Sequence, residues 1–274
     1  MHLDDLLDSQ LALPSIPRVI AVVLAELSRE DPDLRRISHD VNTDPGLTAR
    51  LLRLANSAQF QLSTRIGTVS EALAVLGLDQ VRTLAMAAGV AGVFKRVPGM
   101  DMPQYWRYSL DVAKLARRLA REVRSNPATA FTAGLIHATG ELVMHLGMPE
   151  QMHFLNDQAQ PLSSRRARAE RNLLGYSYAE VGGGFAKKWD FPEAIVDAIA
   201  HQLVPFDEGV YEPLAGIVHL AVWRVRAHID RLDEGHMADA FPDTVALALG
   251  IDFDHVLTEE AVEWTTGTEA AGLI

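Results

Sequence analysis

Apolar residues recur every three or four positions along most of this chain. Ile16, Ile20, Val23, Leu24 and Leu27 form one stripe, Leu47, Leu51, Leu54 and Ala58 a second, and Val112, Leu115, Leu119 and Val123 a third. That spacing gathers side chains on one face of an α-helix, and few segments alternate as strands do. The pattern predicts an all-α protein. Start signals agree: Asp44-Pro45 and Asn126-Pro127 each set a capping side chain before a proline suited to the first helical turn. Thr68-Val69-Ser70-Glu71 and Ser177-Tyr178-Ala179-Glu180 have the spacing of a capping box, in which hydroxyl and carboxylate reciprocally satisfy exposed amides.

The helical pattern breaks sharply at Arg96-Val97-Pro98-Gly99-Met100-Asp101-Met102-Pro103. This divides the chain into an N-terminal helical lobe, 1–100, and a second helical lobe, 101–274, whose first helix starts near Gln104. A loop from Val204 to Pro213 separates a helix ending near His201 from one carrying Leu220 and Trp223, and one further helix is expected after Gly250.

Composition narrows the function. Hydrophobic residues make up 48% of the 274 positions, enough for a substantial core, and no cysteine is present. Disulfides, thiolate zinc sites and cysteine nucleophiles are thereby excluded, and only His, Asp and Glu remain as metal ligands. No apolar run reads as long enough to span a membrane, and the acidic start Met1-His2-Leu3-Asp4-Asp5 lacks the pattern of a signal peptide, which points to a cytoplasmic address without membrane contact. A net charge of −11 disfavours nucleic acid as a partner, because phosphate binding depends on Lys and Arg. Two local basic patches run against that sign: Arg117, Arg118, Arg121 and Arg124, then Arg165, Arg166, Arg168 and Arg171. Each reads either as a solvated helix face or as a docking patch for an acidic partner.

Several motifs are dismissed on their chemistry. Gly182-Gly183-Gly184 lacks the strand, lysine and hydroxyl of a phosphate loop and reads as close helix packing. Val69 to Met86, with Gly77 in the turn, has the outline of a helix-turn-helix, but its second segment carries Arg82 as its one cation, a poor surface for DNA.

Two groups of residues carry a family resemblance. Ala133-Gly134-Leu135-Ile136-His137-Ala138-Thr139-Gly140-Glu141 resembles the His-Asp signature of HD-domain phosphohydrolases, with Ala138 in place of the aspartate and Glu141 in place of the lysine. Leu13-Pro14-Ser15-Ile16-Pro17, the run Asp44 to Ser57, Ile66 to Leu78, Tyr105 to Leu110 and Trp189 to Ile195, in that order, resemble the HDOD family of bacterial signal transduction, HD-related output domains, over roughly residues 10–230. The resemblance implies a two-lobed helical architecture with an HD-like second lobe.

It also implies that metal positions have been lost. Tyr108 and Tyr178 stand where HD enzymes carry histidines, His137-Ala138 replaces His-Asp, His201-Gln202 replaces a tandem His pair, and Val222 stands for the closing aspartate. His137 and His201 alone cannot make a catalytic divalent site, which needs at least three protein ligands. Spacing places Glu141 on the helical face of His137. Tyr108 and Tyr178 would fill the vacated space as a remnant pocket. Asp207 to Pro213 only faintly echoes the Gly-Tyr-Pro loop of cyclic-dinucleotide phosphodiesterases.

The expected protein is thus no enzyme and needs no metal or other cofactor. It is a signalling adaptor or regulator acting through protein contacts, with a response regulator, kinase or cyclic-nucleotide enzyme as partner. With no sensor or receiver segment visible, its input would come by binding. Candidate docking residues are Arg50, Arg53 and Asn56 beside a groove between lobes, and Arg117, Arg121 and Arg124; Asn56 reads alternatively as a buried amide tying helix to loop. The other function class is a sensor holding a nucleotide or phosphorylated metabolite in the remnant pocket.

Overall fold

The computed structural model describes residues 1–9, 12, 14–57, 65–206, 212–257 and 264–265. Among them the regular structure is helical, with no strand. They form two compact units, one of residues 15–95 and one in which the N-terminal fourteen residues pack with residues 96–270.

The smaller unit holds α2 (Arg18–Leu27), α3 (Leu34–Asn42), α4 (Pro45–Ala55) and α5 (Val69–Val93). Helices α2, α3 and α4 all pack on α5, burying Ile20, Val23, Leu24, Leu27, Leu47 and Leu51 of the predicted stripes. The capping box at α5 forms as predicted: Thr68 Oγ1 accepts from Glu71 N at 3.2 Å and the Glu71 carboxylate from Thr68 N at 3.1 Å.

Contrary to the sequence expectation, α5 is long and apolar enough by length and composition to cross a membrane. Its helix is not continuous, however. Gly77 takes φ 75° and ψ 165°, a left-handed kink that glycine adopts without steric cost. Beyond the kink, most of the stretch from Val81 to Ala91 is buried in protein. The turn expected at Gly77 is therefore real, and the second segment is core.

The larger unit contains α1 (Leu3–Asp8), α6 (Met102–Glu122), α7 (Pro127–Ile136), α8 (Thr139–Gly147), α9 (Pro149–Gln158), α10 (Arg166–Leu174), α11 (Tyr178–Lys188), α12 (Glu193–His201), α13 (Pro213–Ile229), α14 (Glu234–Asp239), α15 (Asp243–Leu249) and α16 (Phe253–Leu257). Asp101 caps α6 by accepting from Gln104 N at 2.9 Å, and Asn126 caps α7 through Ala128 N and Thr129 N. Helix α6 lies against α7 and α13, while α11 is wedged between α8 and α12.

Glycine permits the α8–α11 approach. A Cβ on Gly140 would stand 1.9 Å from the Tyr178 carbonyl oxygen. The Gly182 to Gly184 run packs closely too, a Cβ on Gly182 and Gly183 meeting Ile199 and Ala200 of α12 below 3 Å. That is the packing role the sequence assigned to it.

Candidate functional site

The larger unit gathers the remnant-pocket residues where α6, α7, α8, α11 and α13 meet. His137 follows the last turn of α7, and Ala138 is the N-cap of α8, so the chain changes direction between them. The imidazole is fully buried and donates from Nδ1 to the Gly134 carbonyl at 2.7 Å. Its Nε2 therefore carries a lone pair, and that atom has no hydrogen-bond partner among the described residues. Burial pushes the ring's pKa down to about 3, with the Gly134 bond pulling upward and the nearby Arg226 charge depressing it further.

Arg226 is the residue that the sequence pattern did not reveal. It sits one helical turn beyond Val222 on α13, donates from Nε to the Leu162 carbonyl at 3.0 Å, and reaches the Tyr178 hydroxyl at 3.3 Å. Burial works against its charge, but the Tyr108 and Tyr178 phenols and the Glu141 carboxyl more than offset this, and its pKa rises. The ring of Tyr108 lies 5.2 Å from that of His137, and both tyrosines are buried with their phenol pKa values pushed up by desolvation. Val222 is buried on the same helix. One signal was available in sequence: two arginines, Arg224 and Arg226, inside the otherwise apolar run Leu220 to Ala227 must each find acceptors or an aromatic face.

His201 does not join this group. It is exposed at the end of α12, and the buried side chain is that of Gln202. Gln202 Nε2 donates to the carbonyls of His137 at 2.8 Å and Ile199 at 2.9 Å, and its backbone carbonyl accepts from His219 Nδ1 at 2.7 Å. A one-residue step on a helix turns the side chain by about 100°, which is enough to exchange inside for outside.

Glu141 also departs from expectation. The break at Ala138 turns it away from any pairing with His137; its carboxylate accepts from Leu162 N at 3.0 Å and lies 3.8 Å from Arg166 Nε. Arg166 bonds Glu170 at 2.8 Å, Asn156 at 2.7 Å and the Ala159 carbonyl at 2.8 Å, and Glu170 accepts in turn from Tyr178 N at 2.7 Å. All three charged side chains are fully buried. Two carboxyls sharing one guanidinium cannot both ionise cheaply. Burial, then repulsion from Glu141, pushes Glu170 up to about 8, and the two carboxyls titrate as a pair.

These residues do not fit a divalent ion. The donors here are one imidazole lone pair, two phenols and the Glu141 carboxyl, which is already engaged by Leu162 N and lies near Arg166; the guanidinium among them repels a metal. Among the described residues no group of three or more His, Asp or Glu is placed to hold one.

The architecture and its motif blocks match a known family. The model of the HDOD domain aligns with residues 13–205. The chain belongs to the HDOD family. Among solved structures, a candidate phosphohydrolase from Shewanella amazonensis SB2B is 30% identical with a TM-score of 0.78, the match covering 99% of this chain and 95% of that one. An HDOD domain protein from Geobacter sulfurreducens is 25% identical with a TM-score of 0.71, covering 95% and 92%. A Treponema pallidum (strain Nichols) protein is 26% identical over 226 residues, and the match covers 78% of this chain but 42% of that relative's length.

Within this HDOD chain the proposed docking residues divide. Asn56 is exposed, but its amide is fully engaged: Nδ2 donates to Leu52 and Ile66 carbonyls, and Oδ1 accepts from Ile66 N at 2.8 Å. It ties the end of α4 to the chain before α5 with both amide hydrogens used, although it is exposed and not the buried amide of the alternative reading. Arg53 is exposed, and Arg50 is partly buried, its pKa lowered first by desolvation and then by Arg53. Arg117 lies over the Phe131 ring at 5.0 Å, while Arg121 and Arg124 are exposed. The segment Asp207 to Tyr211 lies outside the described residues.

Proposed function

We propose that this HDOD chain is a non-catalytic signalling module that works through contacts with other proteins. The observation that carries the reading is Arg226. Where HD enzymes gather imidazoles and carboxylates around an ion, this chain sets a guanidinium among Tyr108, Tyr178 and Glu141, with Val222 one turn before it on α13. A metal-activated water needs an open coordination position and anionic or neutral ligands, and a fixed cation opposes both. The Shewanella amazonensis neighbour's name suggests phosphoester hydrolysis, but the ligand chemistry of this chain argues against carrying it over.

The test has two arms. Protein purified with manganese and iron present should carry no stoichiometric metal and show no phosphodiesterase turnover; turnover abolished by His137→Ala would reverse the conclusion. Crosslinking in the native cell followed by affinity purification should recover a specific signalling partner, and recovery of ribosomal and chaperone background alone would sink the adaptor role.

A second reading has one observation behind it. His137 Nε2 and Gln202 Oε1 are buried polar atoms without hydrogen-bond partners among the described residues, and such atoms favour a bound polar molecule that pairs them. A nucleotide or phosphorylated metabolite in this pocket would raise the melting temperature by mass action. Nucleotides and cyclic dinucleotides that leave it unmoved at millimolar concentration would remove this reading.

A further inference from the structure

Helix α10 has two opposed faces. Arg166 and Glu170 point inward and are fully buried. Arg165, just before the helix, and Arg168, Ala169, Asn172 and Leu173 on it follow the spacing of an amphipathic stripe. This second stripe faces solvent. With Gln158 and Ala159 at the end of α9 it walls a surface basin of about 490 Å³.

The basin combines exposed positive charge with exposed apolar surface. Arg165 and Arg168 are exposed, and neither joins an ion pair among the described residues, whereas the neighbouring Arg171 pairs with Glu180 at 3.6 Å. Two unneutralised guanidinium groups therefore stand side by side on a chain of net charge −11. Leu173 beside them is 47% exposed, and Phe154, one turn before Gln158 on α9, is 52% exposed.

We propose that this basin is a docking site for an acidic peptide segment bearing an apolar side chain, presented by a partner protein. The proposal rests on the adaptor reading and names its surface. Carboxylates of the segment meet the planar forks of Arg165 and Arg168, which suit bidentate pairing. The apolar side chain covers Ala169 and Leu173. A small-molecule site would hold its ligand with a few buried, fixed polar groups, and here Gln158, Arg165, Arg168 and Asn172 are all exposed. A nucleic acid brings no apolar side chain to cover Leu173, and two arginines neutralise too few phosphates to hold it. The inner face of α10 is anchored by the Arg166 bonds to Glu170, Asn156 and Ala159, so the platform is ordered before a segment arrives.

The experiment pans random peptides of about twelve residues, displayed on phage, against the whole chain and then measures the enriched peptides against R165E/R168E. Both positions are exposed, Arg165 at the N-cap and Arg168 in the first turn of α10, where acidic residues are favourable, so the double variant should fold. Enriched peptides should combine at least two Asp or Glu residues with an apolar neighbour. They should bind R165E/R168E at least about tenfold more weakly, and bind wild type more weakly as salt rises. Leu173→Asp should lose binding to the same peptides. No enrichment, enrichment of peptides without acidic residues, or equal affinity for wild type and R165E/R168E would overturn the proposal. A cellular partner captured equally by wild type and R165E/R168E would leave the adaptor reading standing and sink this surface. Absence of any specific cellular partner would strike the reading itself.

Discussion

At the scale of single residues, Arg226 governs the remnant pocket. Its bonds to Leu162 and Tyr178 and its proximity to Glu141 make it the countercharge of a buried polar group. Replacing it by glutamine should destabilise the fold by about 3 kcal/mol, the usual cost of removing one partner from a buried charge arrangement, measured by urea unfolding. The same Arg226→Gln change should raise the pKa of His137, because the guanidinium is one of the causes holding that imidazole down. NMR titration of the imidazole would show this, and an unmoved or lower value would mean that Arg226 does not act on the ring. The sequence exposed His137, Tyr108, Tyr178 and Val222 through the HD pattern, but that pattern has no place for an arginine at 226. It also put His201 inside, since motif spacing alone does not fix the rotation of a helix end, and here Gln202 takes the inward position.

At the scale of elements, the site depends on how closely α8 and α11 approach. Gly140 faces the backbone of Tyr178, which has no side-chain freedom with which to yield. Gly140→Ala should therefore cost about 3 kcal/mol or more, or prevent folding, and circular dichroism with thermal melting would measure it. A Gly140→Ala protein as stable as wild type would show that α8 and α11 are not in this contact. Helix existence was largely legible: Asp44, Thr68 and Asn126 all cap helices by accepting backbone N–H bonds. Less legible was the break between α7 and α8. His137 and Ala138 interrupt neither the apolar run nor its spacing, so a face shared by His137 and Glu141 was expected where the chain in fact turns. Short α14 and α15 also escaped notice, being too brief to establish a period.

At the scale of the whole molecule, buried titrating groups set the pH profile of stability. His137, His145 and His219 are held below the ordinary 6.5, primarily by burial, so unfolding lets them take up protons. Their contribution is fully present above about pH 6.5 and is lost as pH falls below it. The Glu141–Glu170 pair acts in reverse: its raised pKa means that the folded chain holds a proton that the unfolded chain releases, and stability declines as pH climbs from about 4.5 toward about 8. Three imidazoles outweigh one shared proton below pH 6.5, and above it the carboxyl pair acts alone. Urea midpoints should peak between about pH 6 and 7, and Glu170→Gln should flatten the alkaline limb. A midpoint that keeps rising to about pH 8.5 would contradict the shared proton. Arg226 bears also on the order in which sequence change can proceed. An aspartate introduced at position 138 would stand beside a ring that already feels the guanidinium, and each further carboxylate would be drawn into pairing with that cation. The arginine would have to leave first, at a cost in stability and with no ion yet to compensate, so a metal site could be built at this place only by way of a weakened fold.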